Sequence, residues 1–189
     1  IMASRASLYA ARCLTLARLA GVPVFAAWLL AARPEGPGAG AALFLCYLLF
    51  PLSDLADGPL ARWAGGARPL WGRLDALADI AFNTAALSTA AWTGWVGPWA
   101  PASVAILGAR FLWRGTEAGR DPMGKAAGVL FYLLTGAVAA GAAFAAGGGG
   151  WRWWVARAGD AVALYALIVL LRGMTRGSRG GPRTPSGGR

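Results

Sequence analysis

The sequence predicts an all-α membrane protein: a six-transmembrane-helix bundle with a short N-terminal amphipathic surface helix. Three observations lead there. Of 189 residues, 57% are hydrophobic and only 14% charged, a balance unlike that of soluble globular domains. Apolar stretches near the ~20 residues that span a bilayer recur along the chain. The 18 basic residues, set against 8 acidic ones, fall mostly between those stretches or at their ends, where a membrane protein meets anionic headgroups. A net charge of +10 taken alone would also suit nucleic acid, but this placement points to a bilayer. The expected organisation is one membrane domain over 1–175 and a basic, disordered cytoplasmic tail over 176–189, rich in Gly, Arg, Pro and Ser.

Residues 1–13 mix apolar and basic side chains, as in a helix lying on the membrane surface. No small-residue cleavage site follows a compact apolar core, so a signal peptide is the weaker alternative. The first span runs from about Leu14 to Ala32, with Arg18 near its start placed either to snorkel to the interface or to point toward a site. A Pro- and Gly-rich link over 33–38 turns the chain back. The second span, about Ala39 to Ala56, contains Pro51 and delivers Asp54 and Asp57 to its far end; the third, about Leu70 to Thr93, carries Asp75 and Asp79 near its start. Spans four to six are expected at about Pro98–Trp113, Gly124–Ala146 and Trp151–Leu171. Trp92, Trp95, Trp99, Trp151, Trp153 and Trp154 cluster at span ends, as an aromatic belt does. Arginine is concentrated in the N-terminus, the 58–69 and 114–125 links and the tail, and is sparse in the other links. Both termini and the aspartates are therefore expected on the cytoplasmic side of the cell membrane.

Histidine is absent, which removes Ser-His and Cys-His catalysis and histidine zinc sites. Cys13 and Cys46 show neither metal spacing nor a disulfide framework. Acid–base work falls to carboxylates, and four of the eight acidic residues lie in one window, Ser53 to Asp79. If Leu52 to Ala64 is helical, Asp54, Asp57, Gly58 and Ala61 share one face, with Arg62 beside them. Asp75 and Asp79, at i and i+4, share a face of the next helix. Gly65-Gly66 allows a tight turn that lets the two faces meet. Four converging carboxylates repel unless cations lie between them. Oxygen-only ligands suit Mg²⁺, Mn²⁺ or Ca²⁺, and two such ions about 3.5–4 Å apart form a clamp for phosphoryl chemistry. Gly58 and Ala61 leave a bare helix face that a nucleotide can approach, and Arg62 can pair with phosphate. A solvated loop would explain one or two acids but not four at these spacings. A transporter or proton relay also uses intramembrane carboxylates, but here they occupy a single hairpin without a second, related half.

These residues resemble the signature of the CDP-alcohol phosphotransferase (CDP-alcohol phosphatidyltransferase) family, D-x2-D-G-x2-A-R-x8-G-x3-D-x3-D. Asp54, Asp57, Gly58, Ala61, Arg62, Asp75 and Asp79 stand at the matching positions; the second glycine is Gly72, one residue beyond its place at Trp71. Pro59 lies within the stretch and predicts a kink after Gly58. The resemblance implies a transferase of phospholipid biosynthesis that moves a phosphatidyl group from CDP-diacylglycerol, or a similar CDP-alcohol, to an alcohol, with release of CMP. It implies that Asp54, Asp57 and Asp75 hold two Mg²⁺ or Mn²⁺ ions, with Asp79 close enough to be counted with them and acting as general base. It also implies that the CDP donor packs against Gly58, Ala61, Arg62 and Gly72, and that the protein is a homodimer.

Thr15 and Arg18 resemble the Thr-x-x-Arg pair in the first span of the phosphatidylglycerophosphate synthase branch, although that branch often has a lysine where this chain has Ile80. Arg110, Arg114, Lys125 and Arg172 are expected at cytoplasmic helix ends, level with the aspartates, where a basic pocket would suit a phosphorylated acceptor. They can equally be positive-inside anchors. Lys125 is the one lysine in the chain, and Gly124-Lys125 resembles a step at the start of the fifth helix in related synthases. Glycerol 3-phosphate is the favoured acceptor and inositol phosphate the alternative.

Overall fold

The computed structural model describes residues 2–31, 37–63, 69–114, 121–144 and 149–177; within these, the side chains at 2–8, 10–12, 37–39, 54–63, 69–72, 114, 149 and 176–177 lie outside the description. The described residues form six helices: α1 (Met2–Ala31), α2 (Pro37–Trp63), α3 (Pro69–Trp92), α4 (Trp99–Arg114), α5 (Pro122–Phe144) and α6 (Gly149–Gly177). Proline opens α2, α3 and α5, at the position where a missing N–H breaks no helical hydrogen bond. At α5 the preceding Asp121 caps the helix, its Oδ1 accepting the Met123 N–H at 3.2 Å.

The surface helix and the first span, expected as separate segments, are one continuous helix. Residues 2–20 contain no Pro or Gly to break it, and their Ala, Leu and Arg are good helix formers. In the same way α2 runs unbroken from the apolar span through Asp54 and Asp57 to Trp63; the expected kink after Gly58 falls on residues whose side chains lie outside those described.

The α3–α4 turn depends on a glycine. Gly94 has φ +75°, and its N–H and that of Trp95 donate to the carbonyls of Ala91 (3.1 Å) and Ala90 (2.8 Å), which satisfies the last turn of α3. Arg152 reaches across from α6 to donate to the Thr93 carbonyl and lies 4.8 Å above the Trp95 ring. Trp92, Trp99, Trp153 and Trp154 are exposed on the bundle exterior, but Trp95 is tucked against the core, because the turn directs it inward beneath Arg152. Gly94→Ala forces an L side chain into the left-handed region and is expected to cost about 1 kcal/mol. In a detergent thermal melt this appears as a drop of about 2–4 °C. An unchanged midpoint would show that the turn does not need glycine.

Three helical stretches are long and apolar enough to cross a membrane, Cys13–Ala31, Pro122–Phe144 and Gly150–Thr175, and α2 contributes a shorter apolar one, Gly40–Ser53. The helices close a ring in the order α1, α2, α5, α6, α4, α3 and back to α1, and α3 also meets α5 across its middle. Small residues permit the close approaches. Gly40 of α2 lies against the Ala143 backbone of α5, where a Cβ would collide with the carbonyl. Phe82 of α3, 1% exposed, is the hub of the core. Its ring centroid lies 3.9 Å from Phe50 (α2), 5.1 Å from Phe25 (α1) and 5.8 Å from Tyr132 (α5). Four helices are thus pinned at one level by aromatic contacts.

Candidate active site

α3 carries a polar stripe, Asp75, Asp79 and Asn83 at i, i+4 and i+8, down the side that faces the ring's interior. Arg18 of α1 meets the first two. Its Nη2 pairs with Asp75 Oδ1 and its Nη1 with Asp79 Oδ1, the latter at 3.1 Å. Arg18 is 5% exposed as a whole, whereas the Asp75 and Asp79 side chains keep 32% and 28% of their surface accessible. Of the two placements open to Arg18, snorkelling outward or turning in, the structure has the second. Thr15, one turn earlier, is also buried.

α5 closes the opposite side. The Tyr132 hydroxyl donates to Asp79 Oδ1 at 2.7 Å, so that oxygen accepts from α1 and α5 together. One turn deeper, Thr135 Oγ1 donates to Asn83 Oδ1 at 3.0 Å, and Asn83 Nδ2 donates to the Asp79 backbone carbonyl at 3.0 Å. The Tyr132 carbonyl accepts from the Tyr47 hydroxyl of α2 at 2.8 Å. Gly136 leaves room for that phenol, since a Cβ there would lie 2.6 Å from its oxygen. The Phe82 cluster forms an apolar floor one turn below Asp79.

Asp54, Asp57, Gly58, Ala61 and Arg62 lie on the last turns of α2, and Gly72 on the first turn of α3; their side chains are outside those described. The described half of the carboxylate set is therefore Asp75 and Asp79. Among the described residues no group of three or more metal-ligating side chains is assembled.

The expected acceptor residues divide. Lys125 is exposed in the first turn of α5, two turns before Tyr132 and on the same helical face. Arg172 of α6 is exposed and contacts the Met123 sulfur beside it. Arg110 is committed to structure: its Nη1 donates to the Leu170 carbonyl at 2.8 Å, and its guanidinium lies on the bare backbone of Gly173, strapping α4 to α6. The Arg114 side chain lies outside the described residues.

Tyr132, Asn83 and Thr135 were not singled out by the sequence. Asn83 could have been found, because it continues the i, i+4 aspartate stripe into an otherwise apolar helix. Tyr132 in FYLLTG reads as ordinary core.

No curated protein and no solved structure matches the chain. A family model described as CDP-alcohol phosphatidyltransferase matches residues 8–171, which takes in α2 to α5 entirely, most of α1 and α6, and every residue of this site except Arg172 and Gly173. The chain thus belongs to the CDP-alcohol phosphatidyltransferase family, membrane transferases of phospholipid biosynthesis that pass a substituted phosphate group from a CDP-alcohol to an alcohol acceptor.

Proposed function

We propose that the protein moves a phosphatidyl group from CDP-diacylglycerol to glycerol 3-phosphate with release of CMP, working as a six-span homodimer whose site faces the cytoplasm. The observation that carries this is the Asp75–Asp79 pair, drawn together by Arg18 at the end of the bundle where the signature segment of α2 also arrives. Arginine-rich links at that end support the orientation.

The family generally depends on divalent metal. Two oxygen-donor carboxylates one turn apart, still partly accessible beside Arg18, are the donor type that a hard divalent ion takes. Asp54, Asp57 and Asp75 would hold Mg²⁺ or Mn²⁺, with Asp79 at the edge of the group. Bound there, such ions would supply positive charge to the donor's diphosphate and to the leaving CMP. Gly58, Ala61 and Gly72 leave backbone open to the cytidine, and Arg62 pairs with a donor phosphate. Asp79 takes the proton from the acceptor hydroxyl as its oxygen bonds to the lipid-bearing phosphorus. The bridging P–O bond breaks, and its electron pair leaves with CMP. The Phe82 floor keeps water away from one side of this centre.

Lys125 and Arg172, together with Arg114, are the cations left for the acceptor's phosphate once Arg110 is counted as a strap. Lys125→Ala removes a charge-assisted contact of about 1.5–3 kcal/mol. The KM for glycerol 3-phosphate is then expected to rise tenfold or more, with the KM for CDP-diacylglycerol within twofold. Equal rises in both would make Lys125 an anchor.

The direct test is CMP release by purified protein with CDP-diacylglycerol and Mg²⁺ or Mn²⁺, with glycerol 3-phosphate, inositol phosphate, inositol and serine offered separately. Release with glycerol 3-phosphate alone supports the assignment. Release only with another acceptor moves the substrate, and none with any acceptor removes the donor assignment.

A further inference from the structure

The hydrogen bond from α5 to the carboxylate of α3 has no counterpart in the signature, whose fixed residues lie on α2 and α3. We infer that Tyr132 is a positioning residue for Asp79: its hydroxyl holds the carboxylate in the rotamer that faces the acceptor, and so sets the rate of proton transfer. This rests on the reading of Asp79 as the base.

Three features make Tyr132 a fixed support. Its hydroxyl lies 2.7 Å from Asp79 Oδ1. Its ring stacks on Phe82 at 5.8 Å and 26°, and Phe82 follows Asp79 by three residues on the same helix, so ring and hydroxyl grip α3 at two adjacent points. Its carbonyl is held by Tyr47 of α2, and the Thr135–Asn83 bond fixes the register of α5 against α3 one turn below. A phenol so anchored loses little further freedom when it bonds the carboxylate. Tyr132 also shares its face of α5 with Lys125 two turns nearer the helix start, so one rigid element carries both the base's support and a candidate acceptor contact.

Tyr132→Phe keeps the ring and its stacking and deletes only the oxygen. Hydrogen bonds to charged groups are worth about 1.5–3 kcal/mol, which converts to a loss of about 10–150-fold in kcat. The expected result in detergent-purified protein is a tenfold or greater fall in kcat, both KM values within about twofold, and a larger solvent deuterium isotope effect on kcat because proton transfer now limits the rate. Mn²⁺ affinity, read by electron paramagnetic resonance without substrate, is expected within about threefold of wild type. Wild-type kcat in Tyr132→Phe, with Asp79→Asn inactive, overturns the inference and leaves the base assignment standing. A kcat loss with no change in isotope effect, or one matched by an equal loss of Mn²⁺ affinity, assigns Tyr132 to packing or to the metal and also overturns it. Activity in Asp79→Asn removes the base assignment, and this inference falls with it.

Discussion

Asp79→Asn is expected to lower CMP release by about three orders of magnitude or more while CDP-diacylglycerol binding stays within a few-fold of wild type. A carboxamide has nearly the shape of a carboxylate, and its oxygen can still accept from Arg18 Nη1 and the Tyr132 hydroxyl, which lie 3.1 and 2.7 Å from Oδ1 in the native site. The bundle and its aromatic floor therefore survive, and what is lost is charge and basicity. General-base catalysis is worth about 10²–10⁴-fold, and the lost negative charge beside the ions adds to that. Asp75→Asn is expected to differ in kind: turnover is again abolished, but Mn²⁺ binding weakens with it, because Asp75 is assigned to hold metal. Single-turnover CMP release paired with Mn²⁺ titration separates the two roles. Substantial turnover in Asp79→Asn would end its assignment as base, and unchanged Mn²⁺ affinity in Asp75→Asn would end its assignment as ligand.

The part of this site that was legible in the sequence is the part built from local spacing. Asp75 and Asp79 must share a face once α3 is a helix, whatever surrounds them. Arg18 could not be settled from the chain alone, because a cation near the start of an apolar span satisfies one-dimensional patterning whether it snorkels or turns inward. Its partners lie 57 and 61 positions away, and only the packing of α1 on α3 chooses between the two. Tyr132 was hidden for a related reason: an aromatic in an apolar run is ordinary core until the crossing of α3 and α5 brings its hydroxyl to a carboxylate. Arg110 looked like an acceptor contact by position, but the bare Gly173 backbone and the Leu170 carbonyl draw it into a strap. The helix starts were read within one residue at Pro69 and Trp99 and within two at Pro37, Pro122 and Gly149, and least well at the N-terminus, where nothing marks a boundary between surface helix and span.

Arg18→Ala tests whether the positive charge at this site is structural, and it is expected to destabilise the protein and to make divalent metal rescue it. The guanidinium is almost fully buried and bridges two carboxylates, so its removal leaves two like charges one turn apart. Breaking a fully buried ion pair costs about 3–5 kcal/mol; the carboxylates here keep close to a third of their surface, which sets the cost near 3. For a chain of this size that is a fall in thermal midpoint of about 6–12 °C. Saturating Mn²⁺ supplies positive charge to the same carboxylates and stabilises the folded state by about 2.7 kcal/mol at a hundred times its dissociation constant. In the variant the ion relieves repulsion directly, whereas in the wild type it must share the carboxylates with Arg18, so the midpoint of the variant should rise further on adding Mn²⁺. Arg18→Lys keeps the charge but cannot reach both carboxylates with a planar fork, and is expected between the two. An unchanged midpoint in Arg18→Ala, or equal metal-induced rises in variant and wild type, would show that Arg18 takes no part in the charge balance of the site.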